Sequence, residues 1–193
     1  HHLDIDFWQA SEAASSKRFV FMKFTPGRGV GGHCLPIDPS YLSWRVQREL
    51  GQNFRFVELA NDINGHMPDY VTRRITDALN KRRRSVNGSR VLLLGLAYKK
   101  NTGDARESPS LRISQLLLDM GAKVRAADPH VVETAVVDPR LVRVELTRKE
   151  LAAADVVVLL TDHDNFDYEL VMEHASFVLD CRRRLSGPVI EVL

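Results

Sequence analysis

The sequence lacks the features that mark several large classes of protein. No run approaches the roughly 18 apolar residues that a membrane-spanning helix needs, so we expect no membrane span. The formal net charge is only +2 over 193 residues, which gives no argument for binding nucleic acid or a membrane surface. We find no internal repeat and no low-complexity segment, which argues against solenoid and disordered classes.

Cysteine is scarce in this chain. The two cysteines, Cys34 and Cys181, lie far apart in the sequence. A secreted disulfide framework needs more thiols, so we expect a reduced, cytoplasmic protein. No second Cys or His stands at zinc-ligand spacing from Cys34, and no metal site is predicted. The chain opens on His1 and His2 rather than on Met, so these are interpreted as tag residues or as a cut edge, and we expect the chain to be part of a longer protein.

The first half of the sequence is predicted to be nearly all helix. Residues 4–16 read as a helix or the end of one, and residues 18–24 read as a short extended segment. A second helix is predicted over residues 38–50. Asp38 is its candidate N-cap, and Pro39 suits its first helical position.

A long helix is predicted from Phe56 onwards, because apolar residues keep a helical period for over twenty residues. Gly65 and Pro68 interrupt this pattern, and we expect a kink or a break there. Such a helix would span on the order of 40 Å, enough to bridge two lobes or to pack against a second subunit. The basic run at 81–84 is interpreted as its solvated C-terminal end rather than as a binding patch.

From residue 89 onwards, predicted strands alternate with predicted helices. The strands are predicted within "RVLLLGLAY", "AKVRAADP", "LVRVEL", "DVVVLLTDH", "SFVLDC" and "PVIEVL". This alternation is typical of an open parallel sheet with helices on both faces. We therefore predict the α/β class, with a helical central and dimerisation domain over residues 1–86 and a Rossmann-like domain over residues 87–193.

The loop "PGRGVGGHCLPIDP", residues 26–39, is the first candidate for chemistry. Gly31 and Gly32 carry no side-chain bulk, so a substrate and backbone amides can both approach Cys34. Asp38 is interpreted either as a base toward water or only as a helix cap. From composition alone, a buried, inert cysteine is as good an interpretation of Cys34 as a nucleophile.

The second candidate is the turn "GLAYKKNTGDARESPS" after the first strand of the predicted sheet. It lacks the G-x-G-x-x-G pattern with which dinucleotide-binding folds approach a pyrophosphate. Lys99, Lys100 and Arg106, with a helix N-terminus at 108–110, are candidates to bind phosphate instead. The alternative is a polar loop with surface lysines. Residues 182–184, three arginines after the fifth strand, either reach the same crevice or form a solvated turn.

Three motifs in this order resemble the UDP-glucose/GDP-mannose dehydrogenase family. They are "PGRGVGGHCLPIDPSYLSW", "FVELANDINGHMPDYV" and "VLLLGLAYKKNTGDARESPS". The resemblance covers nearly the whole chain, and its "GGHC-P-DP" form looks most like the branch that oxidises UDP-N-acetylhexosamines. It implies an NAD-dependent nucleotide-sugar 6-dehydrogenase, which oxidises the C6 alcohol of the sugar to a carboxylate with two NAD+. It also implies a homodimer formed through the long central helices, for which residues 53–83 are the candidate.

The resemblance assigns roles to residues of the first loop. Cys34 matches the thiolate that attacks the C6 aldehyde, forming a thiohemiacetal and then a thioester. Asp38 matches the aspartate that positions or activates water. Gly31 and Gly32 match glycines that bring the backbone toward the sugar.

The resemblance also assigns three basic residues. Lys99 matches a lysine that contacts the nucleotide sugar. Arg106 matches an arginine that reaches NAD. Arg182 matches an arginine near the substrate.

Two departures from the family leave the exact function open. The family's NAD-binding domain precedes the region present here, so we expect this chain to be inactive alone. Where many relatives read Asp-Thr-Arg-Asn, this chain reads "DCRRR", with Cys181 and Arg183 unusual there. The sugar and the nucleoside therefore stay open, and a TDP-sugar is an alternative to a UDP-sugar. A non-catalytic sugar-nucleotide-binding module and a helical dimerisation scaffold also stay open as interpretations of the chain.

Overall fold

A computed structural model of the 193-residue chain defines the fold. It describes residues 6–16, 24–32, 34–132 and 137–193. His1, His2 and most of the extended segment predicted over residues 18–24 lie outside the described residues.

Two short-to-medium helices precede the long one. Helix α1 spans Phe7–Ser15 and is capped by Asp6, whose carboxylate accepts from the N–H of Trp8 at 2.9 Å. Helix α2 spans Cys34–Leu50.

The start of α2 corrects one prediction. Pro39 lies inside the helix rather than at its first position, so the predicted start there is wrong. Asp38 therefore cannot cap this helix, because an N-cap residue lies outside the helical turns. The Oγ of Ser40 donates to the carbonyl of Pro36 at 3.1 Å, which adds a contact within these proline-containing turns.

Helix α3 spans Arg55–Lys81 and is continuous through Gly65 and Pro68, so of the predicted kink or break only the break is wrong. Its second half is buried, with Ile75 and Leu79 both 0% exposed. Its first half projects from that packing, and Phe56 is 84% exposed. The helix therefore joins the two halves of the chain and also presents an apolar surface. Among the described residues, no helix is both long enough and apolar enough to cross a membrane.

The second half of the chain forms a six-stranded sheet in which every pairing is parallel. The strands are β1 (Arg90–Leu94), β2 (Lys123–Ala127), β3 (Val142–Arg143), β4 (Val156–Leu159), β5 (Val178–Asp180) and β6 (Ile190–Val192). The helices between them are α4 (Pro109–Asp119), α5 (Arg148–Ala153) and α6 (Tyr168–His174). The strand order β3-β2-β1-β4-β5-β6 is that of the Rossmann fold, which confirms the predicted fold class.

Helices cover both faces of the sheet, because alternate strand residues point to opposite sides. On one face, Leu93 packs in a cluster with Ile75 of α3 and Ile113 of α4. On the other face, Leu92 packs in a cluster with Leu151 of α5 and Val171 of α6. The C-terminal half of α3 is thus part of the same core as the sheet, although the predicted boundary at residue 87 separates them.

The basic run after α3 forms a helix end, as predicted. Arg82 donates to the carbonyl of Ala78 at 2.9 Å and stacks over the ring of Phe177 at 3.5 Å. Arg84 pairs with Asp155 at 3.1 Å. The charges of Arg82 and Arg84 are therefore engaged by contacts within the chain.

Candidate functional site

The candidate site lies at the carboxyl edge of the sheet, between the neighbouring strands β1 and β4. From these two strands the chain continues toward opposite edges of the sheet. In open α/β sheets this switch point is where ligands bind. The glycine loop, residues 27–32, and the β1–α4 loop, residues 95–108, meet there.

The two loops touch directly at the predicted glycines. A side-chain carbon on Gly31 would lie 2.6 Å from the carbonyl oxygen of Glu107, and one on Gly32 would lie 2.7 Å from the ring of Tyr98. Gly32 also has a φ of +90°, which L side chains rarely adopt. Packing between the loops therefore requires glycine here. The approach of a sugar to these glycines stays a prediction.

Arg28, a residue missed from the sequence alone, fills the switch point. Only 3% of it is exposed. Its Nε donates to the Oγ of Ser110 at 2.7 Å. Its Nη2 donates to the carbonyls of Ala97 at 2.7 Å and Tyr98 at 3.1 Å, and its Nη1 donates to the carbonyl of Leu160. Burial lowers the pKa of Arg28 to about 10, so the guanidinium stays charged at neutral pH.

The N-terminus of α4 is closed by these contacts. Ser108 caps the helix by accepting from the N–H of Ser110, and the two serines are 4% and 0% exposed. The helix signals predicted from the sequence are confirmed. The glycine loop and Arg28 cover that end, which leaves Lys99, Lys100 and Arg106 as the candidates to bind phosphate.

Cys34 is exposed and is the first residue of α2. Asp38 stands one helical turn later, on the same face, and is also exposed. The alternative interpretation, a buried and inert cysteine, fits Cys181 instead. Cys181 is 0% exposed, and burial raises the pKa of its thiol to about 12.

The three basic residues of the β1–α4 loop differ in their partners. Lys100 pairs with Asp164 at 2.6 Å. Arg106 binds Asp104 at 2.8 Å. Lys99 is exposed beside Tyr98, with its Nζ 5.5 Å from the ring centroid, and pairs with no carboxylate in the part of the chain that the structure describes. Lys99 is thus a solvent-facing cation at the edge of the glycine loop.

Of the arginines after β5, Arg182 reaches the switch point. Its Nε donates to Asp162 at 3.0 Å, and a side-chain carbon on Gly27 would lie 3.0 Å from its Nη1. Its backbone N–H donates to Asp180 at 2.7 Å, which fixes the turn. The start of the glycine loop therefore lies beside Arg182.

Two models of one protein family match successive parts of the chain. The model of the central domain of the UDP-glucose/GDP-mannose dehydrogenase family matches residues 1–66. The model of the UDP binding domain of the same family matches residues 92–187. The two matches follow one another in the chain and leave residues 67–91 and 188–193 outside them.

The chain belongs to the UDP-glucose/GDP-mannose dehydrogenase family. A UDP-N-acetyl-D-mannosamine dehydrogenase of Pyrococcus horikoshii is 32% identical over 196 residues, which cover 98% of this chain and 43% of the relative. The solved UDP-D-ManNAc dehydrogenase from Pyrococcus horikoshii covers all of the chain with a TM-score of 0.81 and 27% identity. A solved UDP-glucose dehydrogenase from Pyrobaculum islandicum covers 99% of it with a TM-score of 0.84 and 28% identity. This chain spans under half the length of each of these relatives, 43–45%.

Asp128 is a second residue of this family member that was missed from the sequence alone. It follows β2, where dinucleotide-binding Rossmann folds place the carboxylate that binds a ribose. Here its Oδ2 accepts from the N–H of Leu96 at 2.6 Å, the N–H of Ala97 at 3.0 Å and the Nε2 of His163 at 3.1 Å. Its Oδ1 accepts from the N–H groups of His130 and Val131 at 2.8 and 2.9 Å.

These bonds keep Asp128 ionised. Burial by itself would raise the pKa of Asp128, but the hydrogen bond from His163 and those from the backbone outweigh it and hold the pKa below its usual range. His163 is fully buried, and its Nδ1 accepts from the N–H of Asn101 at 2.9 Å, so its Nε2 carries the proton. Asp128 thereby ties β2 to residues on both sides of Lys99, directly to Leu96 and Ala97 and through His163 to Asn101.

NAD does not fit at the switch point of the sheet in this chain. Arg28 occupies the space beside the N-terminus of α4, and Asp128 is fully engaged by the chain's own donors. No glycine-rich fingerprint follows β1. Within the described ranges, no group of three His, Cys, Asp or Glu side chains is placed to hold a metal ion.

Arg183, one of the two unusual residues near the end of the chain, is used in packing. Arg183 donates to both carboxylate oxygens of Asp6 at 2.9 and 3.1 Å and lies over the ring of Trp8 at 5.6 Å. Arg184 lies over the ring of Tyr168 at 5.2 Å. Arg183 therefore holds α1 against the end of β5.

An open apolar groove of about 1410 Å³ runs between the two parts of the chain. Its lining comes from the segment before α2, from both central helices and from the start of α4, and includes Val30, Leu35, Phe56, Ala60 and Pro109. It adjoins the glycine loop but presents few polar groups. Its composition is that of a packing surface rather than of a sugar site.

Proposed function

We propose that this chain is the thiol-bearing and nucleotide-sugar-binding part of a nucleotide-sugar 6-dehydrogenase. The substrate is a UDP-N-acetylhexosamine or UDP-glucose. The observation that carries the proposal is the exposed Cys34 at the start of α2, whose preceding glycine loop packs on the loop that carries Lys99.

Cys34 acts on the aldehyde stage of the substrate. Its thiolate adds to the C6 carbonyl carbon, so that a C–S bond forms and the carbonyl oxygen becomes an oxyanion. The N-terminus of α2 favours that negative charge, since helix N-termini present unpaired N–H groups and the positive end of the helix dipole. In the complete protein, NAD+ bound outside this sheet would supply the hydride acceptor. The covalent bond keeps the reactive aldehyde from escaping.

Asp38 serves the final step. Its carboxylate lies one turn along α2 from Cys34 and faces the same side of the helix. It accepts a proton from the water that attacks the thioester, which releases the carboxylate product and the free thiol. Its exposure leaves room for that water.

Two cations bind the nucleotide sugar. Lys99 is exposed and pairs with no carboxylate among the described residues, so its charge is available to an anionic ligand. Arg182 lies at the other end of the glycine loop, where its guanidinium is only partly used by Asp162. A diphosphate or sugar bound along the loop would lie between these two charges.

The NAD site lies in another part of the protein. The switch point of this sheet is occupied by Arg28 and Asp128, so the dinucleotide does not bind there. We assign Arg106 to the edge of that external site, because its side chain is 59% exposed and it directly precedes Glu107, whose carbonyl oxygen faces Gly31. The chain by itself is therefore expected to bind the nucleotide sugar without oxidising it.

The test uses two samples. Titration calorimetry of this chain with UDP-sugars and TDP-sugars identifies the nucleoside. Turnover by the full-length protein with the same panel is expected to give about two NADH per sugar acid, and Cys34→Ser is expected to abolish acid formation. Cys181→Ala is the matched control and retains activity, since that thiol is buried. Normal acid formation by Cys34→Ser would refute the covalent role.

A further inference from the structure

We propose that Arg28 is a positioning residue, which fixes the Cys34 thiol relative to the nucleotide-sugar lobe. This inference rests on the proposed function of Cys34 and Lys99. The inference goes beyond that function by naming the group that holds the segment of Cys34 and the loop of Lys99 together.

The contacts of Arg28 join segments that are far apart in the sequence. The carbonyls of Ala97 and Tyr98 belong to the β1–α4 loop, that of Leu160 follows β4, and the Oγ of Ser110 belongs to the first turn of α4. One planar guanidinium therefore fixes three elements of the lobe at once. Arg28 itself lies in the glycine loop that leads to α2.

Arg28 holds both sides of the site through short stretches of chain. On the lobe side, it binds the carbonyl of Tyr98, the residue directly before Lys99. On the other side, the loop continues through Gly31 and Gly32, which pack on Glu107 and Tyr98 with no room for a methyl group. Any shift of the guanidinium therefore changes the separation between the lysine and the helix that begins at Cys34.

The hydrogen bonds of Arg28 go to carbonyls and a hydroxyl rather than to a carboxylate. Its nearest acidic influences, Asp162 and Asp128, act at longer range. The interaction depends on the geometry of a fork of donors, which an ammonium group does not reproduce. Arg28→Lys therefore keeps the charge and loses most of the connections.

Arg74 offers a matched control. It is also buried, at 5% exposure, and its Nη2 donates to the carboxylate of Glu191 at 2.7 Å and to the carbonyl of Val192 at 3.0 Å. These bonds join α3 to β6, away from the glycine loop. Arg74→Lys removes another buried guanidinium, one that binds a carboxylate, without touching the segments that hold Cys34.

The experiment measures kcat and KM for the nucleotide sugar in the full-length enzyme, with the melting temperature of each variant. We expect Arg28→Lys to lower kcat about 100-fold, the order of loss that a displacement of about 1 Å causes, and to change KM by less than about threefold. Arg74→Lys is expected to lose similar thermal stability and to keep its kcat. A wild-type kcat in Arg28→Lys, or losses of kcat that follow stability equally in both variants, overturns the proposal.

A second measurement separates this proposal from the proposed function and needs no turnover. The alkylation rate of Cys34 is measured in this chain with and without the UDP-sugar that it binds. We expect the ligand to slow alkylation in the wild type and in Arg74→Lys, but not in Arg28→Lys, although calorimetry still shows binding there. Equal protection in all three proteins overturns the role of Arg28. Failure of the wild type to bind any nucleotide sugar refutes the proposed function and, with it, this inference.

A milder variant covers the case in which Arg28→Lys does not fold. Ser110→Ala removes one acceptor of the guanidinium and leaves the three carbonyls. We expect it to reduce kcat about fivefold, in line with the loss of about 1 kcal/mol for one hydrogen bond. An unchanged kcat in this variant, with Arg28 in its wild-type rotamer, counts against the proposal.

Discussion

At the scale of single residues, burial separates two cysteines that the sequence treats alike. Cys34 stands exposed at the start of α2, whereas Cys181 is enclosed by the core at the end of β5. A thiol reacts as the thiolate, so its reactivity depends on both access and pKa. The chain thus has one accessible thiol and one that the fold protects.

Alkylation with iodoacetamide measures this difference. In the native chain at neutral pH, we expect Cys34 to be labelled and Cys181 to react about 1000-fold more slowly than free cysteine, because burial raises the pKa of Cys181 to about 12. Peptide mass mapping assigns the label. Both cysteines should react in urea, which serves as the control. Labelling of Cys181 before Cys34 in the folded chain would contradict the assigned burial.

Site residues whose signal lies in a local sequence motif could be predicted, and site residues whose role depends on distant contacts could not. Cys34 and Lys99 lie in motifs that can be recognised along the chain. Arg28 and Asp128 were missed because their importance comes from contacts with residues remote in sequence. The signal that was available for Arg28 is its place among glycines, which implies that its backbone approaches another segment closely.

At the scale of elements, Asp128 links β2 to the loop after β1. Five donors from that loop, from the turn after β2 and from His163 converge on its carboxylate. They hold the pKa of Asp128 below its usual range. The stability that this confers is present above pH of about 4, where the carboxyl ionises in the unfolded chain, and is lost as the pH falls toward the folded pKa.

Asp128→Asn tests this link. We expect the free energy of unfolding to fall by about 2–4 kcal/mol at pH 7, because the amide replaces an accepting oxygen by a donor facing other donors. The difference from the wild type should shrink as the pH drops below about 4. Urea unfolding across this pH range gives both quantities. Asp62→Asn, at an exposed position on α3, should change stability by less than about 0.5 kcal/mol. A pH-independent difference would exclude the ionised carboxylate as its cause.

The elements themselves were predicted well where caps and periodicity agree. A helix N-terminus was predicted at 108–110, and α4 begins at Pro109 with Ser108 as its cap. The start of α2 was misplaced because Pro39 is also compatible with the second turn of a helix, at the expense of one hydrogen bond. Local rules could not decide between these positions.

At the scale of the whole molecule, the central helices present an apolar face to solvent. Phe56, Leu59 and Ile63 of α3 are 84%, 57% and 56% exposed, and Leu35 and Tyr41 of α2 are 73% and 68% exposed. Contiguous apolar surface of this kind marks an interface. The homodimer predicted from the sequence through residues 53–83 would cover this face.

Sedimentation or light scattering tests the dimer. The wild-type chain is expected to be dimeric, and Phe56→Asp combined with Ile63→Asp is expected to make it monomeric, because two carboxylates would be buried without partners. Met172→Asp is the control, since Met172 is 42% exposed on α6. A double variant that remains dimeric would show that the first half of α3 lies outside the interface.

The core shared by α3 and the sheet limits how relatives can be recombined. The two family models end at residue 66 and begin again at residue 92, so the stretch between them looks like a free linker. That stretch contains Ile75 and Leu79, which complete the packing beneath β1. A chimera joined at residue 87 would pair one parent's helix with another parent's sheet across mismatched side chains. The sheet and the C-terminal half of α3 should therefore come from the same parent. A chimera should be joined before Val71.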